Sequence, residues 1–384
     1  MPLGETLTNS WDHIQGFLFP MLRAEVGPLG EKHEELVRVL ELARPETFVV
    51  VAWHGLPGRP ANDRRALARA FTAKSVFGLP TTAALIERLA VDQALRRICG
   101  WERARKVPGA SIFSRAFKEF VNADLPTRAH ASLIERTHKD RLVGHISRDA
   151  TAIEAREKPV KIKVETPAEP TPPKRKRGRP RKGEVVTKPE PRRLERQAGM
   201  TLTQMLADLP KHCNVGTKRN AKGYKTSWIG YKLHIDTADG DLPITCLLTS
   251  ASVHDSQVAI PLATMTATRL INLYDLMDTA YDASEIWAKS RALGHVPIID
   301  RHPRGVEGGK AEIAAEAKRL GRIDHRLAED VRYDQRSSAE RVNSALKDTY
   351  GGRYVRVRGH AKVFCHLMFG VLALTVAQLY RLIV

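Results

Sequence analysis

The sequence predicts an α/β protein laid out in three stretches. Residues 1-140 read as all-helical, 157-199 as a Pro/Lys/Arg-rich insertion, and the remainder of 141-384 as a domain of mixed sheet and helix. Three observations predict this. Apolar residues in the first stretch recur at helical spacing. Eight of the chain's 22 prolines fall between Pro159 and Pro191, among Lys, Arg, Glu and Thr. After them a strand meander gives way to alternating helix and strand, the order of a mixed sheet with helices packed on it.

In the helical stretch, Leu85, Ile86 and Leu89 keep helical spacing and Gly100 is a stop signal. After Pro108 a second run places Ile112, Phe113, Ala116, Phe117 and Phe120 on one apolar stripe, with Ser114, Arg115 and Lys118 facing away. A helix of this kind fits a helix-turn-helix DNA-binding bundle with Arg115 and Lys118 on the DNA, and equally a packing helix with a basic surface. The proline-rich stretch is expected to be extended and disordered. Beyond it, Trp228–Ile235 and Leu242–Ser250 read as strands joined by the turn signal Asp239-Gly240. There follow a helix over Asp255–Thr266, a strand over Leu273–Met277, a helix over Ala283–Leu293 stopped by Gly294, and a strand over Val296–Ile299. The 22 mostly apolar residues Val363 to Val384 are long enough to cross a bilayer, but His366, Gln378 and Arg381 interrupt them, so a buried terminal helix is expected. There is no internal repeat, and Gly351-Gly352 lacks the context of a phosphate-binding loop.

Charge narrows the function. With 62 Lys+Arg against 43 Asp+Glu the formal charge is +19, which favours a polyanionic partner, nucleic acid or an anionic membrane surface. Cys99, Cys213, Cys246 and Cys365 are far apart with no C-x-x-C pair, which argues against a disulfide framework or a cysteine zinc site and for a reducing cytoplasm. The first residues lack the basic-then-apolar pattern of a secretory signal.

Within the insertion, Lys174 to Lys182 reads K-R-K-R-G-R-P-R-K. Its core, Arg177-Gly178-Arg179-Pro180, resembles the AT-hook. Gly and Pro keep the backbone narrow and extended, so the arginines can enter the minor groove of A·T-rich DNA, where narrowing deepens the negative potential. A generic basic tail or localisation signal is the plainer reading of such a run.

The most specific pattern is Tyr333-x2-Arg336-x3-Glu340-x6-Lys347. On a single helix these four share an arc of about 60°, opposite Ala339, Val342 and Leu346. Alone, the pattern also fits a solvated face with intrahelical ion pairs. Its spacing resembles the Y-R-E-K signature of DDE transposases from insertion sequences. Asp278-Thr279-Ala280-Tyr281 is similar to that family's D-x-x-Y element, and Ser147-Arg148-Asp149-Ala150-Thr151 to the D-x-T element ending its first strand. Gly230 to His234 resembles its second core strand, His254-Asp255-Ser256 the start of the next helix, and Val76-Phe77-Gly78-Leu79-Pro80 through Phe117 its preceding helical domain.

The resemblance implies a ribonuclease-H-like core in which Asp149, Asp278 and Glu340 are catalytic and bind two Mg2+ ions, for which Mn2+ can substitute. Carboxylates suit a hard divalent ion that keeps waters and takes phosphate oxygens as its other ligands. Two such ions can activate the attacking oxygen and stabilise the leaving one in an in-line displacement. Asp236, Asp239, Asp275 and Asp282 remain competitors for these roles, and Asn214 stands where similar chains can carry Asp. Tyr333, Arg336 and Lys347 would contact DNA phosphates. The activity implied is that of a DNA transposase that cuts mobile-element ends and joins them to a target. Its partner would be double-stranded DNA, both ends and target, engaged by a homodimer in the cytoplasm at the nucleoid, with no membrane. A catalytically inactive DNA-binding descendant of a transposase, or a membrane-anchored basic protein, are the alternatives.

Overall fold

The protein is seen here in a computed structural model that describes residues 3–50, 62–139, 141–160, 190–219, 223–300, 309–322 and 326–382. A six-stranded mixed sheet organises the second half. Its strands are β1 (Leu142–Glu154), β2 (Asn214–Arg219), β3 (Lys225–Ala238), β4 (Leu242–Ser250), β5 (Ile271–Met277) and β6 (Val296–Ile299). They run in the order β2-β3-β1-β5-β6, with β4 also paired to β3. β3 is antiparallel to β1, β2 and β4, whereas β1, β5 and β6 are mutually parallel neighbours. Antiparallel neighbours need only a hairpin, and the β3–β4 turn has Gly240 and Asp241 at φ 77° and 58°. Parallel neighbours need a crossover, supplied between β5 and β6 by the helix Ser284–Ala292. Gly230, at φ 153°, sits where a Cβ would collide with the Ile153 carbonyl of β1, so only glycine keeps these strands paired there.

The predicted strands and helices from Trp228 to Ile299 are present, and the structure departs from the reading elsewhere in this half. β1 continues through Asp149 to Glu154 instead of ending at the D-x-T element, because β3 pairs with it over that whole length. β2 has no counterpart in the sequence reading: Asn214–Arg219 is a polar, largely exposed strand whose partner is set by the long arm of β3 rather than by an apolar pattern. Helices Arg193–Gln197 and Leu202–Asp208 follow the basic run, the first of them inside the stretch read as extended. They are held by tertiary contacts: Arg193 and Arg196 clasp Asp208 at 2.7 and 3.2 Å, and the Gln197 amide donates to the Gln257 carbonyl. The hook residues Arg177, Gly178, Arg179 and Pro180 lie outside the described residues.

Helices cover both faces of the sheet. Ser256–Ala267 and Ser284–Ala292 pack on one, while Ser337–Asp348 and the C-terminal helix His360–Arg381 pack on the other. The N-terminal helices include Glu31–Ala43, Arg64–Val76, Thr82–Val91, Gln93–Cys99, Ala110–Asn122 and Leu125–His138. Their starts are capped by Asp63, Thr81 and Asp92, and Gly100 ends one in the left-handed conformation. Phe113, Ala116, Phe117 and Phe120 are buried as the apolar stripe requires.

His360–Arg381 is the one helix among the described residues long and apolar enough to cross a membrane, and here it is the axis of the core, buried along most of its length. A single apolar cluster runs from Phe71, Phe113 and Phe117 through Phe369 and Leu372 to Ile146 and Ile235 of the sheet. Phe71 and Phe369 stack with ring centroids 6.0 Å apart, and the imidazole of His130 bridges the Pro243 carbonyl and Thr375. The helical region and the sheet therefore share one interior.

Candidate active site

The site starts from an alternation. Successive side chains of a strand point to opposite faces, so Arg148 and Asp149 on β1 part company. Arg148 meets Asp236, directly across on β3, in a bidentate pair at 2.8 Å with both residues buried. Thr266 also donates to Asp236. On the same face Asp275 of β5 accepts from Ser290 at 2.6 Å and meets the His295 imidazole at 3.1 Å. Burial opposes the charge on Arg148, but Asp236 and Asp275 hold its pKa above the ordinary value. These carboxylates are satisfied by protein. So is Asp239, which accepts from the Gly144 amide and pairs with His145. Asn214, at the start of β2 opposite Gly230, donates to Ser252 at 3.2 Å. Asp282 immediately follows the turn Thr279–Tyr281.

Asp149 faces the other way. The parallel register pairs Ser147 with Leu276, and carrying it two residues further sets Asp149 beside Asp278, just past the end of β5. Burial pushes Asp149 up to about 6, aided by the negative charge of Asp278 and opposed by the Ala150 amide, Arg336 and Lys218. Burial also raises Asp278, against the Ala280 amide and Arg336. Asp278 accepts that amide bond at 2.9 Å, capping the turn Thr279–Tyr281. Tyr281, fully buried beneath, keeps its hydroxyl without a hydrogen-bond partner.

The Y-R-E-K residues do not lie on one helix. Tyr333 ends the helix Ala328–Tyr333, Arg336 ends a 3-10 turn over Asp334–Arg336, and Glu340 and Lys347 belong to Ser337–Asp348. Asp334 is tied outward to Arg326, and two serines open the next helix, so the chain tightens by a turn here. Residues three apart eclipse in such a turn, which stacks the Arg336 guanidinium 5.7 Å from the Tyr333 ring centroid. Burial opposes the charge on Arg336, but Tyr333, Asp149, Glu340 and Asp278 together raise it. Arg336 thus stands in the field of all three predicted acids. It donates to Glu340 at 2.9 Å, and Glu340 itself is 61% exposed. Ala339, Val342 and Leu346 on the opposite side are buried, as read. Lys347, lowered by burial and by Arg353, lies with Glu154 at the edge of a neighbouring cleft.

Two residues missed from the sequence complete the site. Asn343, one turn after Glu340 and buried, donates to Asp149 at 3.0 Å. Lys218 of β2 contributes positive charge near Asp149 and Asp278. An E-x-x-N spacing was the available signal for the first; β2 had to be placed before the second could be found. Arg115 and Lys118 occupy the solvent side of Ala110–Asn122, where Arg115 reaches only the Ser111 carbonyl, and no ion pair joins them to the acids.

Among the described residues no three of His, Cys, Asp or Glu are gathered closely enough to hold a metal. The donor set nevertheless suits a hard divalent ion: two carboxylates brought side by side in a partly buried setting that resists their charge, and a third on an exposed side chain paired only with an arginine.

The comparisons with known proteins fall on these elements. A family model described as a transposase DDE domain matches residues 149–376, and one described as a transposase domain (DUF772) matches residues 24–119. No curated protein and no solved structure matches the chain.

Proposed function

The chain belongs to the DDE transposases, and from that premise we propose that it binds the ends of a mobile element, cuts the DNA there and joins the freed 3′-hydroxyls to a target. Its sheet is read as a ribonuclease-H-like core, with residues 1-140 as the DNA-binding part and 157-199 as an inserted arm. Asp149, Asp278 and Glu340 would hold two Mg2+ ions, which supply activation of the attacking oxygen and neutralisation of the leaving one. The register that carries Asp149 to Asp278 is the observation on which this reading rests.

In the cleavage step a water attacks the phosphorus in line, the P–O3′ bond breaks, and a 3′-hydroxyl leaves. The chain's own residues prepare for that charge. Arg336 pairs with Glu340, whose side chain is largely exposed, so a phosphate can take its place on the guanidinium while Glu340 stays solvated. Tyr333 holds the guanidinium plane and Lys218 adds a second cation. Asn343 fixes the rotamer of Asp149 by donating to its carboxylate. Lys347 extends the cationic surface along the same helix. Arg177, Gly178, Arg179 and Pro180 would capture A·T-rich DNA through the minor groove, and Arg115 and Lys118 would contact the element's ends, with two copies of the chain on the DNA.

The test is nicking of a supercoiled plasmid carrying the element's ends. The wild-type chain should nick only with Mg2+ or Mn2+, and Glu340→Gln should bind the same DNA without nicking it. Binding by the wild-type chain with no nicking under either metal would leave it a DNA-binding protein derived from a transposase.

A further inference from the structure

The segment between the helix bearing Glu340 and the C-terminal helix has no role in the site just described. It reads Arg353-Tyr354-Val355-Arg356-Val357-Arg358. Val355 is buried and Val357 half-buried against the shared core, while Arg356 and Arg358 are exposed, the alternation of an extended chain pinned by its valines. The outward arginines open onto a cleft of about 420 Å³ whose other walls carry Arg156, Lys362 and Lys74. No carboxylate lines it among the described residues. None of these five cations has an ion pair or hydrogen bond there either, although the rest of the surface pairs many of its arginines.

Lys74 is the most telling of them. It is 7% exposed, sits on the helix Arg64–Val76, and has no anion beside it, so burial brings it down to about 8. An unpaired buried ammonium is costly, and an anion entering the cleft would remove that cost. Arg156 and Arg356 also line a second cleft, of about 520 Å³, together with Lys347, Glu154 and Arg353, the last paired with Asp348. Lys347 shares a helix with Glu340, and Lys218 lies in the electrostatic field of both Lys347 and the two aspartates. Sharing Arg156 and Arg356, the two clefts carry cations from the N-terminal helices to the helix that bears Glu340.

We propose that this track, from Lys74 through Arg358, Arg356 and Arg156 to Lys347, is a binding site for the phosphodiester backbone of duplex DNA, clamping it between the helical region and the sheet. The inference rests on the transposase reading for the identity of the polyanion. Charge complementarity and the run of the cations toward the acids select a long polyanion over a single phosphate. The contacts are made to phosphates and so carry no sequence preference.

The test is fluorescence anisotropy of the full chain on an end-containing duplex and on a scrambled duplex of equal length, over a range of salt. R356A/R358A should bind both at least tenfold more weakly and lower the log–log salt slope by about 2, since each phosphate contact contributes roughly 0.9. R356K/R358K should restore most of the binding, because the contact is chiefly to charge. R156A/K362A, altered on the opposite walls, should show the same loss with an unchanged melting temperature, which separates lost contacts from a disordered segment. Inorganic phosphate at millimolar concentration should not displace the duplex; displacement by it would overturn the duplex in favour of a single-phosphate site. An unchanged salt slope in R356A/R358A overturns the proposal while wild-type binding keeps the transposase reading standing. No duplex binding by the wild-type chain overturns both.

Discussion

Two faces of one sheet carry the same residue type to opposite ends. On one, Asp236 and Asp275 are buried and saturated: Arg148, Thr266, Ser290 and His295 supply their hydrogen bonds. On the other, Asp149 and Asp278 stand next to each other in the field of a shared arginine, with a side-chain amide on the first and a backbone amide on the second. Arg148 and Asp149 are consecutive residues, and the pleat sends them to opposite faces. Carboxylates whose partners are all protein hold a fold together; carboxylates crowded by their own kind keep capacity for a ligand.

The comparison breaks if the two pairs respond alike to substitution. Asp149→Asn and Asp278→Asn are each expected to lower plasmid nicking by about a thousandfold or more, equivalent to roughly 4 kcal/mol of barrier, with the urea midpoint nearly unchanged. Asp236→Ala should do the reverse first: it leaves Arg148 buried without its counter-charge, and unfolding in urea should show a loss of about 3–5 kcal/mol. Replacing both members, Arg148→Met with Asp236→Leu, should recover much of that loss. Should Asp149→Asn destabilise as strongly as Asp236→Ala, Asp149 belongs with the structural set.

Acid titration sharpens the contrast from the side of the shared core. Burial lowers His130, which meets Thr375 of the C-terminal helix, and His366, a residue of that helix, to about 3 from 6.5. The unfolded chain then binds more protons between those values, so this stability is complete above pH 6.5 and is lost as the pH falls toward 3. Each imidazole should account for about 2 kcal/mol or more by about pH 4.5, measured as unfolding free energy against pH. His366→Gln, which keeps a donor near the Gly351 carbonyl, should flatten the curve. The smallest effect is expected at Asn343: Asn343→Ala should slow nicking by about 10–100-fold, as for a residue that orients a metal ligand, and should weaken the Mg2+ dependence with little change in duplex affinity.

Much of the fold was legible locally. The apolar stripe through Phe113, Phe117 and Phe120, the turn at Asp239-Gly240, the stop at Gly294 and the strand Val296–Ile299 follow from periodicity and glycine, which act within a few residues of themselves. Motif spacing pointed to Asp149, Asp278 and Glu340, and the register of β1 and β5 brings the first two side by side. Local signals failed where the deciding partner was remote. β2 is polar and exists because β3 extends past β1 to meet it. The helices after the basic run depend on Asp208 and Gln257 for their contacts.

The sequence by itself determined which residues could do chemistry and which segments would coil or extend. It also carried an apolar C-terminal run whose polar interruptions favoured a buried helix over a bilayer span. Tertiary structure buries that run in one apolar cluster with Phe71, Phe113 and residues of the sheet. It likewise broke the Y-R-E-K pattern at Arg336, turned Asp149 away from Arg148, and collected Lys74, Arg156 and Arg358 from distant segments into one cleft. The reason is range: propensity and pleat are set by a residue and its near neighbours, whereas the partners that hold these carboxylates come from other elements, from 15 positions away for Ser290 on Asp275 to 194 for Asn343 on Asp149.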